Sequence, residues 1–315
     1  MTHAWNDSNL PDLTGRRVIV TGGNSGLGYQ TALRLAERGA QVTIAVRSQP
    51  KGEAALADIR AACPAADLRL AALDLADLSS VRAFAAGWDG PLDVLVNNAG
   101  VMAVPRALTV DGFERQLGTN HLGHFALTGL LLPALLAASA ARVVTVSSLA
   151  ALGGRMAFDD LDGARSYRPW RAYCQSKLAN LLFTVELGRR LQASAASVLA
   201  VAAHPGYAAT NLQATSAQAK AGVRRALEGT AMALGNLIIA QPAAAGALPS
   251  LYAATATGVV GGGFYGPQGP FGTRGAPGAA KLPSRAKDAA VAQQLWEISQ
   301  QRTGVAYAEL AAARA

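Results

Sequence analysis

The chain has 315 residues and a formal charge of +8, and 51% of its residues are hydrophobic against 15% charged, which excludes a disordered chain. Two cysteines (Cys63 and Cys174) and four histidines without an HExxH pattern exclude a disulfide scaffold, a cysteine zinc site and a zinc protease, so no metal is expected and the compartment is expected to be reducing. The basic residues come singly or in pairs (Arg16–Arg17, Arg189–Arg190, Arg224–Arg225) with no interleaved aromatics, which argues against nucleic acid as a partner.

The N-terminus is polar and lacks a signal pattern, so an unexported, cytoplasmic protein is expected. Near-continuous apolar runs then predict strands at Arg17–Thr21, Gln41–Val46, Leu68–Ala72, Leu92–Val96, Arg142–Ser147 and Ser197–Ala203. Helical patterns lie between them, around 26–38, 51–62, 78–87, 111–138 and 170–193. The apolar stretch Phe125–Ala138 is too short for a bilayer and contains a proline, so a buried helix is expected and no membrane span. Beyond residue 204 come a loop and helix over 205–232, a helix over 241–256, a short strand at Phe264–Tyr265 and a last helix near 287–302. Strand–helix alternation predicts an α/β fold: a doubly wound, Rossmann-like parallel sheet of about seven strands with helices on both faces. No linker separates two cores, so one domain is expected, with a core over 14–206 and an elaboration over 207–315.

The first strand runs into Thr21-Gly22-Gly23-Asn24-Ser25-Gly26-Leu27-Gly28 and then a helix. Glycine permits the tight turn and a close backbone approach, and a helix N-terminus offers free N–H groups to a pyrophosphate. The second strand ends at Arg47, where a fold that prefers NAD places an acid for the ribose hydroxyls. A guanidinium there suits a 2′-phosphate, so NADP(H) is favoured over NAD(H).

Ser148 follows the fifth strand, and strand C-termini are where open α/β sheets bind ligands. Tyr173 and Lys177 stand one turn apart on a helix. A neighbouring ammonium favours the phenolate, and the expectation is a lowered Tyr173 pKa and a usable general acid or base. His204 is expected to be a packed loop residue, and Cys174 a buried thiol. Phe158, Tyr167, Trp170 and Tyr207 are candidates either to line an apolar pocket or to pack the loop around it.

Together these motifs resemble the short-chain dehydrogenase/reductase family. The matching residues are Thr21-Gly-x-x-x-Gly26-x-Gly28, Asp74-Leu75, Asn97-Asn98-Ala99-Gly100, Asn120, Ser148, Tyr173-x-x-x-Lys177 and Pro205-Gly206, in family order over roughly 14–210. Ala45-Val46-Arg47, Tyr173-Cys-Gln-Ser-Lys-Leu-Ala-Asn180 and His204-Pro-Gly206 look most like the retinol dehydrogenase and WW-domain oxidoreductase-like branch and its bacterial relatives. The resemblance implies that Gly22, Asn24, Ser25, Gly26, Leu27 and Gly28 hold the pyrophosphate and adenosine ribose region. Asp74 and Leu75 would contact adenine, and Asn98, Ala99 and Gly100 would support the cofactor from the fourth strand. Tyr173 would donate or accept the proton, Lys177 would hold the nicotinamide ribose, and Ser148 would hold the substrate oxygen. Asn120 would position a water in a proton relay, and Pro205, Gly206 and Thr210 would line the nicotinamide pocket. The substrate would be a small or medium lipophilic carbonyl or alcohol. Family pairing through the helices near 111–138 and 170–193 would give a homodimer or homotetramer. Two competing readings are a non-catalytic dinucleotide sensor or scaffold and a nucleotide-sugar epimerase or dehydratase.

Overall fold

A computed structural model describes residues 4–207 and 241–311. In chain order the sheet strands are β1 (Arg17–Thr21), β2 (Gln41–Val46), β3 (Leu68–Ala72), β4 (Val94–Asn97), β5 (Arg142–Val146), β6 (Leu199–Ala203), β7 (Phe264–Pro267) and β8 (Pro277–Ala279). They form one sheet in the order β3-β2-β1-β4-β5-β6-β7-β8, parallel except for the antiparallel β7–β8 pair. The helices are α1 (Gly26–Ala36), α2 (Gln49–Ala62), α3 (Leu78–Ala86), α4 (Arg115–Leu117), α5 (Gly123–Leu130), α6 (Leu132–Leu136), α7 (Pro169–Ala193), α8 (Ala243–Thr255), α9 (Ala289–Thr303) and α10 (Ala308–Ala311).

Alternation along each strand divides the core between the two faces. Val18 and Val20 pack with residues of α1, α2 and α8, whereas Ile19 packs with residues of α3, α5 and α7. Both faces are covered, so the parallel strands carry apolar residues on both sides. Strand order reverses between β1 and β4, and this reversal opens the crevice in which doubly wound sheets hold ligands.

Several elements differ from the sequence expectation; β6, for one, begins at Leu199 rather than Ser197. The single helix expected over 111–138 is broken into α4, a π-turn at Gly118–Leu122, α5 and α6. Gly118 packs so closely on Thr109 that a Cβ there would lie 2.5 Å from its methyl, and Pro133 stands in the first turn of α6. The fourth strand begins two residues late, after Asp93, whose carboxylate accepts from the Arg17 N–H at 2.8 Å and pairs with Arg16 at 2.7 Å. The edge strand β8 had no signal in its Pro-Gly-Ala sequence. The helix and loop expected over 208–232, and Thr210 with them, lie outside the described residues.

Helix α9, the last long helix among the described residues, lies across α7 and α5. Its Trp296 is buried among Phe125, Phe183 and Tyr307, with the Arg190 guanidinium 4.4 Å above its ring. α5 and α7, two of the helices expected to pair between subunits, both pack against this helix. Among the described residues no helix is long and apolar enough to cross a membrane.

Acid is expected to destabilise this fold through three buried histidines. Burial pushes His121 down to about 3, and His124 and His204 down to about 4. An unfolded histidine titrates near 6.5, so between these values the unfolded chain binds more protons. The stability of the neutral form is complete above pH ~6.5. It is lost as the pH falls, by up to about 1.4 kcal/mol per histidine per pH unit. Thermal unfolding at pH 7 and pH 5 checks this, and a melting temperature no lower at pH 5 contradicts it.

Candidate active site

The segments that follow β1 to β6 all open into one cavity of about 550 Å³. After β1 comes the glycine-rich turn. Gly26 has φ +55°, a left-handed value that favours glycine, and it opens α1. Gly28 lets the helix press against the strand loop, since a Cβ there would come within 2.4 Å of Asn98 Nδ2 and the Gly22 carbonyl. The N-cap residue Ser25 makes no side-chain capping bond, so it leaves the first-turn N–H groups of α1 to other acceptors. Gly22, Asn24, Ser25, Gly26, Leu27 and Gly28 all line the cavity.

The other strands contribute in turn. Arg47 lies at the exposed end of β2, Asp74 and Leu75 follow β3, and Asn98, Ala99 and Gly100 follow β4. Asp74 is the one acid among the described lining residues. Thr21 ties two of these segments together. Its hydroxyl accepts from the Asn98 and Ala99 N–H groups, both at 2.9 Å, and lies 2.9 Å from His124 Nε2. His124 Nδ1 is 3.1 Å from the Asn120 carbonyl, which only accepts, so the ring proton sits on Nδ1. The neutral ring then accepts the Thr21 proton at Nε2. The sequence marked Thr21 only as the start of the loop. This second role depends on a helix a hundred residues away.

Ser148, Tyr173 and Lys177 line the same cavity. Ser148 caps a short 3₁₀ turn, and its oxygen accepts from the Ala150 N–H at 3.1 Å. Tyr173 is buried, and the Ser148 side chain favours its ionised form. The Lys177 ammonium stands 5.9 Å from the centre of the Tyr173 ring and donates to the Val146 carbonyl at 3.0 Å. Ser147 donates to the Lys177 carbonyl at 2.7 Å, which fixes α7 against the end of β5.

Titration of this pair corrects the sequence expectation. Burial pushes the Tyr173 phenol up to about 12, and the Ser148 side chain offsets only part of that rise. Burial also pushes Lys177 down, to about 8. The i, i+4 spacing was legible in sequence, but not the depth at which both groups sit. Within the protein's own field Tyr173 therefore keeps its proton at neutral pH.

Asn120 does not line the cavity but sits just behind its wall. Wholly buried in the π-turn, it accepts from Val101 N–H at 2.8 Å and donates to the Val101 carbonyl and to Ser176 Oγ, both at 2.9 Å. Pro205 and Gly206 line the cavity after β6. Of the four aromatic candidates, Trp170 and Tyr207 are lining residues, whereas Phe158 and Tyr167 pack the loop. Met102, Val104 and Thr119 also line the cavity, and no sequence motif had marked them. His204 is packed against Phe264, with ring centres 4.9 Å apart, and Cys174 is buried, both as expected.

Residues 16–221 match the short chain dehydrogenase family. The chain belongs to that family. As a short-chain dehydrogenase it is 50% identical over 204 residues to human retinol dehydrogenase 13, a match covering 64% of this chain and 61% of the human protein. A probable oxidoreductase of Streptomyces lividans is 52% identical over 204 residues, covering 64% of this chain and 67% of its own length. The fold also superposes on the crystal structure of an uncharacterised protein from Mycobacterium paratuberculosis, with a TM-score of 0.80 and 49% identity. That match covers 96% of this chain and 99% of the other. Short-chain dehydrogenases bind a nicotinamide dinucleotide. The uncapped α1 N-terminus and the run of cavity from there to Tyr173 fit such a group.

Proposed function

We propose that the chain is an NADP(H)-dependent oxidoreductase acting on a carbonyl or alcohol of a small or medium lipophilic substrate. One observation carries this reading: a single cavity joins the glycine-rich turn and Arg47 to Ser148, Tyr173 and Lys177. A bound nicotinamide supplies or accepts a hydride at the carbon of the substrate. Ser148 holds the substrate oxygen beside the Tyr173 hydroxyl. Tyr173, protonated at neutral pH, gives its proton to that oxygen in reduction and takes one back in oxidation. Lys177 provides positive charge close to the phenol, and Asn120 holds the backbone around Val101. Arg47 supports the choice of NADP(H), because its guanidinium stands where a ribose-binding acid would favour NAD(H).

Val101, Met102, Val104 and Trp170 make the substrate side apolar. Retinol, named in the human relative, is itself a lipophilic primary alcohol. A panel of short, long and aromatic aldehydes and ketones, with retinal included, tests the reading with each cofactor. NADPH oxidation by lipophilic carbonyls is the expected result. Cofactor binding without turnover of any carbonyl or alcohol would favour a sensor, and conversion of nucleotide sugars would favour an epimerase or dehydratase.

A further inference from the structure

The substrate side of the cavity is walled by two segments far apart in sequence. Met102 and Val104 follow β4, and Trp170 stands in the first turn of α7. One side chain outside the cavity holds both. Gln116 is wholly buried, and its Oε1 accepts from the Ala103 N–H at 2.7 Å. Its Nε2 donates to the Tyr167 hydroxyl at 2.8 Å and to the Pro169 carbonyl at 2.9 Å. Tyr167 closes the circuit by donating to the Val104 carbonyl at 2.9 Å.

The circuit encloses a strained residue. Ala103 has φ +49°, a left-handed value that costs a residue with a Cβ about 1 kcal/mol or more. Such a conformation persists only where its surroundings fix it. Here Gln116 takes the N–H of Ala103, and Tyr167 takes the carbonyl of the next residue. The residues on either side of Ala103, Met102 and Val104, are the ones that face the cavity.

Gln116 is itself anchored. The buried Glu114 carboxylate accepts from the Gln116 N–H at 2.9 Å and from the Leu117 N–H at 2.7 Å. The Glu114 N–H donates to Asp162 at 3.0 Å, and Asp162 pairs with Arg302 of α9 at 2.8 Å. The wall is thus tied to α9 through a chain of hydrogen bonds.

We propose that Gln116 and Tyr167 are specificity-determining positioning residues, which fix the width of the substrate side through Met102, Val104 and Trp170. The proposal rests on the oxidoreductase reading. A merely structural role would scale activity on every substrate alike. A positioning role separates long substrates from short ones. In Gln116→Met and in Tyr167→Phe, KM for nonanal is expected to rise about 10-fold, KM for propanal and kcat for both to change by less than about 3-fold, and NADPH affinity to hold. Tyr167→Phe removes one hydroxyl from a half-buried ring, so it keeps the test open if Gln116→Met folds poorly. Because both residues share one network, the double variant is expected to cost less than the sum of the two.

Quenching of tryptophan fluorescence by each aldehyde, with NADP+ present so that no hydride is available, gives the same comparison without turnover. Binding without turnover in the wild-type protein would sink the oxidoreductase reading alone. Equal losses for nonanal and propanal, in KM or in quenching, would overturn the positioning role. Neither aldehyde quenching the wild-type protein would count against both.

Discussion

Replacing Tyr173 by phenylalanine is expected to lower kcat for carbonyl reduction by about 10²- to 10⁴-fold, the range that general acid catalysis supplies, with NADPH affinity nearly unchanged. Phenylalanine keeps the ring that lies 5.5 Å from Trp170 and fills the same buried space. What it removes is the hydroxyl that carries the proton. A phenol held near 12 is protonated throughout the neutral range, so in the proposed mechanism the site begins reduction with its donor loaded. Its weakness is the charge that develops as the proton leaves. A unit cation 5.9 Å from the ring offsets that charge by about 3 kcal/mol at an effective dielectric of ~20. Lys177 is therefore more valuable as the proton moves than before it moves. This restores the link between the two residues, although the resting phenol is not acidic.

The same argument sets a pH dependence. Lys177 is pushed down to about 8, so its cation is present below that pH and lost above it. Reduction is accordingly expected to slow as the pH rises through about 8, while Tyr173 still holds its proton. Steady-state kinetics of the wild type and of Tyr173→Phe between pH 6 and 10 check both statements. A Tyr173→Phe enzyme that keeps a tenth of its kcat removes the proton-donor role.

The parts of this molecule that could be read in sequence are those whose cause is local. β1, β2 and β3 matched residue for residue; for β1 and β2 the reason is that strands buried on both faces leave uninterrupted apolar runs. The glycine-rich turn was legible because its geometry depends on a few neighbouring glycines. The π-turn around Asn120 was not, since apolar periodicity continues through it while the backbone is reshaped by packing of Gly118 on Thr109. The strand β8 exists only because β7 offers it an edge. The site divides the same way. Ser148, Tyr173 and Lys177 carry a recognisable spacing, and the structure brings them together in one cavity. Their titration depends on burial by the rest of the chain, and here the sequence expectation for Tyr173 failed. Gln116 shows the limit most clearly. In sequence it is one polar residue near a helix start. Its three partners, Ala103, Tyr167 and Pro169, come from other segments.

Reversing the charge at Arg47 is expected to abolish the proposed preference for NADPH. Arg47 is exposed at the end of β2 and lines the cavity, and the one acid among the described lining residues, Asp74, follows β3 instead. A hydrogen bond to a charged group contributes about 1.5–3 kcal/mol, or about 10- to 100-fold in affinity, and Arg47→Asp adds repulsion to that loss. NADH has no 2′-phosphate and gains an acceptor for its ribose hydroxyls, so its affinity is expected to hold or rise. Ligand at 100 times its dissociation constant stabilises the fold by about 2.7 kcal/mol, and a 100-fold weaker complex at the same concentration by only ~0.4 kcal/mol. For a chain of this size the NADPH-induced rise in melting temperature should then shrink from about 4 °C to under ~1 °C. Thermal shifts with NADPH and NADH, for wild type and Arg47→Asp, read this directly. Equal shifts for the two cofactors in the wild type would mean that the 2′-phosphate is not recognised at this strand end. The dinucleotide would then be held by the α1 N-terminus and the strand loops, groups that both cofactors meet alike.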